Sequence, residues 1–255
     1  MKALIKLHLK ENLRKNSFII FGILGGLITL ITLSSVTFTT NAPGANSDYA
    51  QYGYQWTFLG IIASLAGVTL SMGTMAKHRE GNSIDLLKLH GLSLKNQYAS
   101  LSLGNILVSL LMALIMAVGM VINILVKEPS ISIGGFFVAL ILYLIPTIII
   151  PLEVSLLSLI FPSAVTALLG VFLILLGSIR GTLELMVGNM GGAFGNISGI
   201  LLKLVPPISS FSQLARDFFF GDFTNWNGLF SSMLYLWILI GVSWVVLKVV
   251  ERREG

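Results

Sequence analysis

Long uncharged runs alternate with short polar segments along the whole chain. Apolar residues fill 17–38, 55–76, 102–126, 131–152, 163–179 and 228–249, and Lys, Arg, Asn, Pro and Gly collect between them. A helix of about 20 apolar residues crosses the ~30 Å hydrocarbon core of a bilayer, so the pattern predicts six transmembrane helices. A β-barrel is the other way to span a membrane. Its ~10-residue strands alternate apolar and polar positions, and these Leu-, Ile- and Gly-rich runs do not. Pro146, Pro151 and Pro162 interrupt or delimit the fourth and fifth runs, because proline removes a helix hydrogen bond.

Composition sharpens this picture to an all-α integral membrane protein with a single transmembrane domain over 1–255. Hydrophobic residues make up 55% and charged residues 11% of the chain, against about 25% charged in a soluble protein. The run 17–38 is longer than the roughly 7–15-residue core of a cleavable signal, so it is expected to be a retained first span. Of the 16 Lys and Arg residues, all but Lys127, Arg180, Lys203 and Arg216 fall in the leader, the 77–100 loop or the last residues. The positive-inside rule then puts both termini in the cytoplasm, in the cell membrane. In such a chain the net charge of +5 reflects topology, and no nucleic-acid partner is expected.

Several segments stand out as candidates for function. The leader 1–16 reads as an interfacial helix, with Ile5, Leu9 and Leu13 on one stripe beside Lys6, Lys10 and Arg14, suited to an anionic lipid surface. The loop 77–100 carries a short helical pattern with Ser83 as N-cap, Ile84, Leu87 and the Lys88 stem on one face, and Gly91 as a stop. The apolar, glycine-rich segment 180–227 is expected to re-enter the membrane from outside. Gly22 and Gly26 are spaced four apart, as are Gly188 and Gly192, and Gly195 and Gly199. Such ridges let helices pack closely in lipid, within the chain, in a dimer or in a re-entrant hairpin. Glu153 reads as the end of the fourth helix at the head groups, with a proton-relay carboxylate as the alternative. Arg180 and Glu184 are expected to pair at i,i+4.

The chemistry of an enzyme is not legible. No GxxxxGK[ST] loop, HExxH, GxSxG or paired acidic motif occurs, so no catalytic residue or metal ligand is assigned. Cysteine is absent, and His8, His78 and His90 are isolated in sequence. Few polar residues occupy the spans, which weighs against a secondary transporter or channel.

The basic leader, the six spans, the Glu-Gly-x-x-Ile-Asp-Leu-Leu element after the second and the Pro206–Pro207 segment before the last together resemble a family. They are similar to permeases of the second type of ATP-binding-cassette exporter, notably the short bacterial exporters of bacteriocins, lantibiotics and phenol-soluble modulins. The resemblance implies an elbow helix at the leader and a coupling helix formed by Glu80, Gly81, Ile84, Asp85, Leu86 and Leu87. It also implies a cytoplasmic ATPase that holds ATP and Mg, with no cofactor in this chain. A second permease copy or a paralogue would complete a dimer, and an amphipathic peptide or lipid-like molecule would be the cargo. Leu92 to Lys95 departs from the proline-containing motif that follows the coupling helix in the family. The rival readings are a secondary transporter or channel, and a non-transporting immunity or sensor subunit.

Overall fold

The computed structural model describes residues 2–33, 47–80, 83–127, 133–189 and 192–254. All regular structure among them is α-helical. The helices are α1 (Lys2–Leu13), α2 (Asn16–Leu33), α3 (Ser47–Ser71), α4 (Thr74–Glu80), α5 (Ser83–Leu89) and α6 (Leu94–Lys127). They continue as α7 (Ile133–Leu144), α8 (Pro146–Leu157), α9 (Ser163–Gly188), α10 (Gly192–Leu202), α11 (Ile208–Phe219) and α12 (Trp226–Glu254). Five stretches are long and apolar enough to cross a bilayer: Gln55–His78, Leu94–Val126, Ile133–Leu157, Ser163–Gly188 and Trp226–Arg252. A sixth arises if α1 and α2, which meet at 59°, count as one bent span.

α3 forms the hub, packing against α2, α6, α8, α9 and α11. Its residues Tyr52, Trp56, Leu59 and Ala63 are sealed against Met112, Met116 and Met120 of α6 and the aromatic end of α11. Trp56 lies 5.2 Å from Tyr143 and Tyr52 5.3 Å from Phe219, ring centre to ring centre. At the other end of the bundle a second cluster joins Met75, Leu94, Tyr98, Leu101, Leu159 and Leu247, with Leu4 of the leader packed on it. This end carries α1, α4 and α5, and is called the basic end below.

Small residues set the closest approaches. A Cβ at Gly67 would lie 3.0 Å from Pro151 Cγ and 3.1 Å from Ser109 Oγ, and one at Gly170 2.9 Å from Val68. Between α2 and α6 the exchange is reciprocal. Met116 fills the space over Gly25, Thr29 fills that over Gly119, and Asn123 Nδ2 donates to Thr32 Oγ1 at 2.7 Å.

Three boundaries differ from the sequence expectation, each for a local reason. The first run was drawn to 38, and residues 34–38 lie outside the described ones. The third helix begins at Leu94 rather than 102, because Leu94, Tyr98 and Leu101 fall on one helical face and are buried at the basic end. The fourth run is two helices, α7 and α8, and its second half extends to Leu157. Pro146 has no N–H to continue α7, so the chain restarts there as α8. The fifth does not stop at 179, since α9 runs to Gly188 and the charge of Arg180 is satisfied inside the fold.

Candidate functional site

Three places hold the chain's functional candidates. The first is the predicted coupling element. Gly81 lies outside the described residues, as do the side chains of Glu80, Ile84 and Asp85. Helix α5 ends as expected, with Gly91 at φ 79°. Leu92 N–H donates to Leu87 O at 3.0 Å and Gly91 N–H to Lys88 O at 2.9 Å, the paired bonds of a Schellman stop. His90 Nδ1–H adds a bond to Leu86 O at 2.8 Å. Leu87 and Lys88 are half-buried, while Leu86 and Leu89 are 57% and 83% exposed. The outward apolar pair is therefore Leu86 and Leu89, whereas the expected set includes Leu86 with Leu87.

The second place is the segment 180–227. α10 packs back along α9, and α11 packs on α3, α7 and α9. The turn between them, 203–207, passes against α9. A Cβ at Gly177 would sit 2.7 Å from Pro206 O, so only glycine leaves room for that backbone. Pro206 and Pro207 carry no N–H, which lessens the number of donors needing partners here. Polar groups around the turn do find partners. Arg180 Nη1 donates to Val205 O at 2.6 Å, and Gly181 N–H donates to Ser209 Oγ at 3.1 Å. Arg180 also pairs with Glu184 at 2.7 Å, as the i,i+4 spacing predicts.

Tyr235 of α12 sits beneath the turn. Its hydroxyl lies within hydrogen-bonding reach of Leu204 O, at 3.0 Å, and of Glu153 Oε1. One hydroxyl proton cannot serve both acceptors. Glu153 is not the last residue of its helix, since α8 continues to Leu157, and it is 6% exposed. A cavity of about 200 Å³ opens beside it, lined by Glu153, Leu157, Lys203, Leu204, Tyr235 and Ile238 among others.

The glycine ridges divide. Gly22 and Gly26 have open space where a Cβ would stand, and so do Gly188 and Gly192. The helix seam uses Gly25 instead, one position round the helix. Gly192 adopts φ 77° at the start of α10. Gly195 is buried, and Gly199 meets Val187 at 4.0 Å, so that part of the ridge belongs to the α9–α10 hairpin. Gly22, Gly25 and Gly26 help line an apolar groove of about 520 Å³ between α2 and α6.

The third place, the polar anchor beneath the leader, was not legible beforehand. α1 packs along α6, and its inner face is polar: His8 and Asn12 are 6% and 0% exposed. Both point at Asn105, which is fully buried. Asn105 Oδ1 accepts from His8 Nε2 at 2.7 Å and from Asn12 Nδ2 at 3.0 Å. Its Nδ2 donates to Thr74 Oγ1 at 2.7 Å and to Ser155 Oγ at 3.2 Å. That uses all four hydrogen-bonding positions of an amide and ties α1, α4, α6 and α8 at one residue. A Cβ at Gly104 would be 2.9 Å from His8 Cδ2, so glycine lets the ring in. Ile5, Leu9 and Leu13 are half-buried beside this face, while Lys6, Lys10 and Arg14 point outward as the stripe predicts. Burial holds the His8 imidazole below its ordinary range, against an upward pull from Asn105 and Glu11. Burial likewise lowers the Lys15 ammonium, with Glu11 raising it and Lys77 lowering it further.

Compared with known proteins, the chain matches no protein family and no curated protein. The fold itself defines the class: an all-helical protein with five or six helices long and apolar enough to span a membrane. Among the described residues no group of three or more His, Cys, Asp or Glu could hold a metal ion.

Proposed function

We propose that this chain is the membrane-spanning subunit of an exporter driven by a separate ATP-binding-cassette ATPase. It lies in the cell membrane of a bacterium with both termini in the cytoplasm. In this reading α1 is the elbow helix, α5 the coupling helix, and α10 with α11 the re-entrant element on the outer side. The chain works as a dimer, with the open Gly22–Gly26 face of α2 available to a second copy or a paralogue. ATP and Mg bind the partner ATPase. The cargo is an amphipathic peptide or a lipid-like molecule, in keeping with lipid-facing walls that are almost wholly apolar.

One observation carries this reading. α5 is a two-turn helix at the basic end, held by α4 and α6, whose Leu86 and Leu89 turn away from the chain's own bundle. Apolar side chains exposed in this way call for a covering partner. An ATPase that binds the two transport conformations with different affinity could then shift one into the other through α5. The test is a gentle-detergent pulldown from the native membrane. A stoichiometric ATP-binding-cassette ATPase should come down with the chain, and Leu86→Asp with Leu89→Asp should abolish its recovery without changing membrane insertion. A chain that comes down alone, or a double variant that retains the ATPase, overturns the assignment.

A further inference from the structure

We infer that the pocket at the elbow is a binding site for the phosphate head group of an anionic phospholipid. The pocket has a volume of about 280 Å³ and lies between the leader and the break separating α3 from α4. His8, Glu11 and Lys15 form one wall, and Gly73, Lys77 and His78 the other. Its two lysines approach from opposite walls. Lys15 Nζ donates to Asn12 Oδ1 at 2.5 Å, which fixes that ammonium at the rim. The Lys77 stem lies over Gly73, with its Cε 2.9 Å from where a Cβ would stand, and this holds the second ammonium across from the first.

Glu11 is the single acid in the lining, so with neutral histidines the walls carry a surplus of positive charge. Two ammoniums around one cavity repel each other until an anion lies between them. The volume is below the roughly 300–1,000 Å³ of pockets for drug-sized ligands, which suits a phosphate and its immediate ester better than a nucleotide. Position argues for a lipid as the source. The pocket lies where the candidate span Gln55–His78 ends and α2 begins. Leu70 and Met72 complete its lining, and exposed Lys6, Lys10 and Arg14 run along the adjoining helix. Basic pockets between membrane helices take anionic head groups. The inference goes beyond the exporter reading and does not depend on it, because lipid binding is measured without an ATPase.

The experiment is native mass spectrometry of the full chain in a non-ionic detergent, titrated with dioleoyl phosphatidylglycerol, dioleoyl phosphatidylcholine or inorganic phosphate. One phosphatidylglycerol should be retained in preference to phosphatidylcholine. Lys15→Gln with Lys77→Gln should lower that preference roughly tenfold, whereas Lys6→Gln with Lys10→Gln should leave the first bound lipid in place. Glu11→Gln, which removes the opposing charge, should tighten binding several-fold, a gain that misfolding cannot produce. Equal retention of the two lipids, or equal losses in the two lysine pairs, would overturn the site. Displacement of phosphatidylglycerol by inorganic phosphate would overturn the lipid as its occupant.

Discussion

The stretches Gln55–His78 and Trp226–Arg252 are both long enough to span a bilayer, yet they occupy opposite environments. The first has a mean hydropathy of 1.7 and is 61% buried inside the protein, while the second is more apolar at 2.2 and only 17% buried. In a soluble protein the more apolar helix would be the more buried one. Here the hub helix carries Gln55, Ser64 and Ser71 inward, all with no exposure. The peripheral helix instead turns Phe230, Trp237 and Trp244 outward, each at least 57% exposed. Lipid tails reward apolar surface without requiring it to be packed by protein. Polar and small residues therefore collect where helices meet, and specificity resides in shape and hydrogen bonds. Hydropathy locates such helices without ranking their burial, since the two most apolar stretches, both at 2.5, are 44% and 50% buried.

Glycine substitutions give the strongest test of this contrast. Gly67→Leu in α3 would drive a side chain into Pro151 and Ser109, whereas Gly241→Leu in α12 meets nothing within 4 Å. Overpacking a tight site costs about 1–3 kcal/mol or more. Thermal melts in detergent should show a large drop for the first variant and almost none for the second. Equal drops would mean that α12 is as tightly packed as α3.

An effect of similar size should follow from polar contacts. Asn105→Ala strands the partners of four hydrogen bonds that join α1, α4, α6 and α8, and each stranded buried group costs about 1–3 kcal/mol. Ser243→Ala in α12 removes a bond to Leu239 O within its own helix and one to Tyr98 of α6. Limited proteolysis should release the leader in the Asn105 variant and leave it protected in the Ser243 variant. A leader equally protected in both would remove Asn105 as the anchor of α1.

The smallest expected effect is that of pH on the same anchor. The folded-state value for His8 lies below 6.5, so between the two values the unfolded chain binds more protons than the folded one. Stability should therefore rise with pH through that window and fall on acidification from pH 7.5 to 5.5. Glu11 opposes the shift, while Lys15 and His78 reinforce it. His8→Gln should flatten the difference between melts at the two pH values. An unchanged pH difference in that variant would assign the effect to another group.

The helical class and the places of the long helices were legible in the sequence because a bilayer demands uninterrupted apolar length. Their ends were less so. A charge was read as a boundary at Arg180, yet its guanidinium is absorbed by Glu184 and the Val205 carbonyl. Glu153 misled for the same reason, being held by Tyr235 from a helix far along the chain. The Arg180–Glu184 pair and the Gly91 stop were legible because both are local. The elbow cluster was not, because His8, Thr74 and Ser155 have no local periodicity and meet only through Asn105. On the glycine ridges, spacing alone picked Gly22 and Gly26, while packing uses Gly25. Only the partner helix reveals which face turns inward.

The union of His8 with Asn105 also sets a timetable. The two residues are 97 positions apart, and ribosomes add roughly 5–20 residues per second. The leader is therefore made on the order of ten seconds before its dock exists. For that interval its polar inner face has no mate, and a nascent chain must keep it in water or in the hands of the insertion machinery. Slowing translation between α4 and α6 should prolong that waiting state, making the leader of the unfinished chain the natural place to look for a chaperone's grip.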